Sequence, residues 1–176
     1  MTCSKPKILV VDDTPASLKL LSELLRAEDY EVRSAIDGEL ALESAFDNPP
    51  DLVLLDIMMP GIDGFEVCRR LKAHPATRQV PVIFVSTLSD TEEKVQGFQL
   101  GAVDYVSKPY QREELLARVR THLEIERLRN RLEDAWRNAA ANCAAASKNS
   151  EPRWTITFPP TPNCKRCWIP FPIWSG

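Results

Sequence analysis

The 176-residue sequence has no long hydrophobic run, and the apolar stretch of its N-terminal segment MTCSKPKILVVDD stops at two aspartates. That stretch is too short for a signal peptide or a membrane span, so a cytoplasmic protein with no membrane association is expected. Charge of one sign is also lacking. The sequence has 22 basic and 25 acidic residues, a formal net charge of -3, which gives no general attraction to polyanions and makes nucleic acid an unexpected partner. Cysteine is sparse and odd in number, five in all. Cys3, Cys68 and Cys143 are far apart, which suits reduced thiols better than a disulfide framework. Cys164 and Cys167 form a single CxxC with no second pair and no flanking histidine, so incidental spacing is favoured over a zinc site.

What is present is an alternation of short apolar runs with amphipathic segments. Lys7 to Val11, Tyr30 to Ser34, Asp51 to Leu55, Val80 to Ser86 and Val103 to Ser107 have strand length. The first, third and fourth are apolar almost throughout, the pattern of parallel strands covered on both faces. Helical periodicity lies near 15–28, 38–47, 64–74 and 90–100, with a fifth helix starting near Arg112. Five βα repeats imply right-handed crossovers and a doubly wound α/β fold, a five-stranded parallel sheet with helices on both faces. The second run alternates, with Tyr30, Val32 and Ser34 against Glu31 and Arg33, which marks an edge strand. Thr14-Pro15 reads as a capping hydroxyl before a first-turn proline.

In such sheets functional groups gather beyond the carboxyl ends of the strands. Those ends carry Asp12 and Asp13, Asp56, Ser86 and Thr87, and Lys108. Taken singly, each has a plain structural role: a helix cap, a strand end at a turn, a core hydroxyl, a surface lysine. Together they form a constellation on one rim. Three carboxylates repel one another strongly and Lys108 alone cannot neutralise them, so a cation is needed, and hard oxygen ligands point to Mg²⁺.

Four pieces of the sequence, ILVVDD at 8–13, LVLLDIMMPGIDG at 52–64, PVIFVS at 81–86 and GAVDYVSKPY at 101–110, resemble the receiver domain of two-component response regulators. The resemblance covers about residues 5–122 and implies a flavodoxin-like strand order of 2-1-3-4-5. It implies that Asp56 takes a phosphoryl group from a histidine kinase or phosphotransfer protein. Asp12, Asp13, a carboxylate oxygen of Asp56 and the backbone carbonyl of Met58 would hold Mg²⁺. Lys108 would pair with the phosphoryl oxygens, Ser86 would move toward them, and Tyr105 would follow Ser86. The Lys108-Pro109 bond would be cis. Thr87 stands where a smaller residue is usual, so it competes with Ser86 for the switch role. Met58 and Leu88 flank the phosphoryl position and offer no group to orient a water.

Two other classes are disfavoured. A phosphatase of the haloacid dehalogenase type needs a second aspartate two residues after the nucleophile, and that position is Met58. A flavodoxin-like cofactor binder needs a phosphate cradle after the first strand, where Asp12 and Asp13 would repel phosphate. The expectation is a phosphoacceptor signalling domain rather than an enzyme acting on a separate substrate.

Beyond the receiver, Ile125, Leu128, Leu132, Ala135 and Ala139 recur at alternating steps of three and four, a short coiled-coil seam whose plain alternative is a lone solvated helix. The expected organisation is a receiver over 1–122, a helical or coiled-coil extension over 123–146, and a Pro- and Trp-rich, disordered tail over 147–176. A homodimer through residues 112–139 is a candidate assembly. No DNA-binding output domain is recognisable, the output partner is not identified, and the tail reads as a remnant of a larger receiver-containing sensor, kinase or cyclase.

Overall fold

The computed structural model describes residues 5–87 and 91–149, the side chains at 91–94 and 141–149 excepted. Five strands, β1 (Lys7–Val11), β2 (Glu31–Ala35), β3 (Leu52–Leu55), β4 (Val82–Ser86) and β5 (Asp104–Ser107), alternate with five helices. The helices are α1 (Pro15–Ala27), α2 (Gly38–Asp47), α3 (Gly64–Ala73), α4 (Thr91–Gln99) and α5 (Arg112–Asn149). The sheet order is β2-β1-β3-β4-β5, and every neighbouring pair is parallel. This is the order that the resemblance implied.

Strand alternation divides the core into two layers. Leu9, Val11, Val53, Leu55, Val82 and Phe84 face Ala41, Leu42, Ala45, Val67, Cys68 and Leu71 of α2 and α3. Ile8, Val10, Leu52, Leu54, Ile83 and Val85 face Leu18, Leu21 and Leu25 of α1 and Leu115, Leu116, Val119 and Leu123 of α5. Each fully buried aliphatic side chain contributes roughly 1.5–3 kcal/mol of transfer free energy. All residues of β3 and β4 are buried, as strands sandwiched between helices must be. The outer strands β2 and β5 are partly exposed.

Three details differ from the sequence reading. Tyr30 precedes β2, within which Arg33 is half-buried. Its guanidinium donates to Ser44 O and Oγ at 2.8 and 2.9 Å and to Asn48 O at 2.5 Å, so a long cation covers the carbonyl end of α2. The Thr14 hydroxyl does not cap α1. Asp12 Oδ1 instead accepts the Thr14 amide at 2.9 Å. The fourth strand begins at Val82 rather than Val80, because Pro81 has no N–H to enter the ladder and the Val80 amide turns to Thr77 O.

The chain divides into two compact units, Met1–Ala135 and Trp136–Gly176. The first holds the sheet. The expected disorder of the tail and the roles of Cys164 and Cys167 lie outside the described residues, as does Leu88. No helix among the described residues is long and apolar enough to cross a membrane.

Candidate functional site

The carboxyl ends of β1 and β3 are neighbours because Val11 pairs with Leu55, and the Asp56 amide donates to Val11 O at 2.9 Å. The residues that follow each strand, Asp12 and Asp56, therefore emerge side by side. Both are buried, at 1% and 6% exposure, while Asp13 is exposed. Carboxylate oxygens of Asp12, Asp13 and Asp56 all lie within 4.8 Å of one another.

Lys108 reaches this cluster from the end of β5. Its amide donates to Ser86 O at 2.8 Å, which extends the β4–β5 ladder by one residue. Its Nζ then donates to Asp12 Oδ2 and Asp56 Oδ2, both at 2.6 Å. Burial opposes the ammonium charge, but the hydrogen bonds to Asp12 and Asp56 outweigh it and hold the lysine pKa above its ordinary value. The Lys108-Pro109 peptide is cis.

Three carboxylates against one ammonium leave two negative charges at the rim. A divalent ion with ligand distances near 2 Å would place adjacent oxygens roughly 3 Å apart and opposite ones roughly 4 Å apart. The carboxylate spacing, the all-oxygen donor set and the residual charge of this cluster suit such an ion.

A family model for the response regulator receiver domain matches residues 8–120. The chain belongs to the response regulator receiver family. Response regulator PleD of Caulobacter vibrioides is 47% identical over 129 residues, 71% of this chain and 28% of that protein. The DNA-binding dual master transcriptional regulator RpaA of Synechocystis is 44% identical over 118 residues, 67% of this chain and 49% of that one. The chain thus spans less than half the length of either relative. A CheY-like response regulator receiver domain protein from Methanospirillum hungatei superposes with a TM-score of 0.66 at 30% identity, covering 72% of this chain and 99% of that structure.

In this receiver the other expected residues occupy a graded series of environments. Ser86 closes β4 and is fully buried, whereas its neighbour Thr87 is exposed. Tyr105 lies on β5 opposite Phe84 at 9% exposure. The Met58 side chain is 59% exposed, and its amide makes a long 3.3 Å contact with Asp56 Oδ1.

Gly64 opens α3, as the helical periodicity over 64–74 suggested, and its position is the tightest in the site. A Cβ there would lie 2.2 Å from Asp56 O and 2.8 Å from Ile57 Cα. The Gly64 amide also donates to Ile57 O at 3.0 Å. Helix α3 therefore rests directly on the backbone that carries Asp56, fixed at its start by Asp63 Oδ1 accepting the Glu66 amide at 2.8 Å. The DG pair ahead of an apolar-periodic segment was the available signal; it shows a helix start but not a backbone contact.

Proposed function

We propose that this receiver takes a phosphoryl group on Asp56 from the phosphohistidine of a histidine kinase or phosphotransfer protein and passes the change to a protein partner. The reading rests chiefly on one observation, the buried carboxylate of Asp56 held at 2.6 Å by Lys108 beside two further aspartates. An Asp56 carboxylate oxygen attacks phosphorus, the phosphorus–nitrogen bond breaks, and the imidazole nitrogen keeps the electron pair and takes a proton from solvent. The product is an acyl phosphate. No general base is required, because a carboxylate is ionised at neutral pH.

Asp12, Asp13, an Asp56 oxygen and the Met58 carbonyl would hold Mg²⁺, which supplies positive charge to the phosphoryl oxygens. Lys108 exchanges its Asp56 contact for one of those oxygens. Ser86, at the end of the adjacent strand, donates its hydroxyl to the phosphoryl group and is preferred over the exposed Thr87 for that role. Tyr105 follows from β5. The phosphoryl group adds roughly two negative charges and new acceptors, enough to bias a two-state surface.

The organisation that accompanies this reading is a receiver over 1–122, a helical extension over 123–146 and a distinct segment over 147–176. Leu123, the last buried core residue of α5 among the described side chains, supports the first boundary. The cytoplasm is the expected compartment. Receivers that belong to longer sensor, kinase or cyclase proteins are the second reading, favoured by the 28% of PleD that the chain spans.

The test is intact-mass measurement after incubation with a small-molecule acyl phosphate. The wild type gains one phosphoryl group with Mg²⁺ and none with a chelator, while Asp56→Asn gains none. Equal labelling of the variant and the wild type overturns the assignment.

A further inference from the structure

Helix α5 changes the direction of its apolar face partway along. Leu115, Leu116, Val119 and Leu123 are buried against the sheet, and Glu126 continues that inward face with a side chain only 17% exposed. After that point the apolar residues lie elsewhere. Ile125, Leu128 and Leu132 are 54%, 49% and 62% exposed, and Ala135 is exposed too. At about 100° per residue, Leu128 stands about 180° around the helix from Val119. The new stripe therefore begins where the receiver core ends, on the opposite side of the helix. Upstream, the same stripe is occupied by Arg118 and Thr121, so it is apolar only from Ile125 onward.

The spacing of Ile125, Leu128, Leu132 and Ala135 is that of alternating a and d positions. In that frame Glu124 occupies g and Arg129 occupies e. Two parallel helices in register bring g of one chain against e of the other five residues on. Glu124 of each copy then faces Arg129 of the other, two attractive pairs that flank Ile125 and Leu128. Within one chain Arg129 is shared between the half-buried Glu126 at 3.5 Å and the exposed Glu133 at 3.4 Å, and the second of these contacts exchanges at little cost.

We propose that a second copy of this chain covers the stripe, as a parallel, in-register coiled coil over residues 124–135. This is narrower than the 112–139 span expected from sequence, because α5 up to Leu123 is committed to its own sheet. Since the stripe faces away from the core, each receiver sits on the outer side of its own helix and does not obstruct the seam. Fewer than two full heptads with an alanine at the last d position make a weak pair, one that assembles at high local concentration.

The pairing does not depend on the chemistry of Asp56, and sedimentation of the unphosphorylated full chain tests it alone. At about 0.5 mM the average mass should rise toward that of a dimer. Leu128→Lys should weaken association at least tenfold while leaving the thermal unfolding of the receiver unchanged, because Leu128 is 49% exposed and does not belong to either core cluster. Glu124→Arg and Arg129→Glu should each weaken pairing, and an equimolar mixture of the two variants should associate more tightly than either alone. That recovery needs residue 124 of one copy to face residue 129 of the other. A wild type that stays monomeric at 0.5 mM, an association indifferent to Leu128→Lys, or a mixture no better than its components overturns the proposal.

Discussion

Lys108 illustrates how a single residue can serve both stability and chemistry. It sits between Asp12 and Asp56, buried carboxylates that pair with no other cation among the described residues, and breaking a buried pair from one side costs about 3 kcal/mol. Lys108→Met should therefore lose about 3 kcal/mol of stability in metal-free urea unfolding, and added Mg²⁺ should recover part of it by binding only the folded state. An unchanged urea midpoint contradicts the pairing. Because its folded pKa is raised, the lysine's contribution is complete below its ordinary value of 10.5 and is lost as pH climbs through the folded value. The wild type should thus lose stability in that alkaline window more steeply than Lys108→Met. Asp13 acts in the other direction. It is exposed and accepts only a long 3.3 Å contact from the Thr14 hydroxyl, so Asp13→Ala should raise metal-free stability by up to ~1 kcal/mol through relief of repulsion while weakening Mg²⁺ binding. A loss of that size instead would make Asp13 a structural residue.

At the scale of elements, α3 is placed by contact of its first residue with the strand end that carries the acceptor. Gly64→Ala forces a methyl group against the Asp56 carbonyl and Ile57 Cα, an overpacking that costs roughly 1–3 kcal/mol. It should also slow phosphoryl uptake by more than the unfolded fraction explains, because Asp56 moves with its backbone. Uptake at the wild-type rate in the folded variant contradicts this coupling. That contact was not legible in the sequence, since a glycine is required there by an approach from another element. The strands were legible because those of the centre are apolar on both faces, and Asp12, Asp56 and Lys108 were legible because a doubly wound sheet collects its strand ends on one rim. The contacts of Arg33 were not legible either. An alternating pattern assigns a charged side chain to solvent, whereas the length of arginine lets it lie along the sheet edge and reach the α2 carbonyls.

At the scale of the whole molecule, the receiver family and the parallel sheet are shown, and the chain spans 28% of PleD and 49% of RpaA. Everything specific to this protein as a signalling element depends on whether its rim accepts a phosphoryl group, and where. The neighbouring aspartates make site mapping the decisive measurement, since Asp12, Asp13 and Asp56 lie within 4.8 Å of one another. The 176-residue chain is incubated with Mg²⁺ and an acyl phosphate, the acyl phosphate on the protein is reduced with borohydride to homoserine, and the peptides are sequenced by mass spectrometry. The account predicts homoserine at position 56 and none at 12 or 13. Homoserine at either of those positions, or a stable phosphate ester on Ser86 or Thr87 in its place, would contradict it.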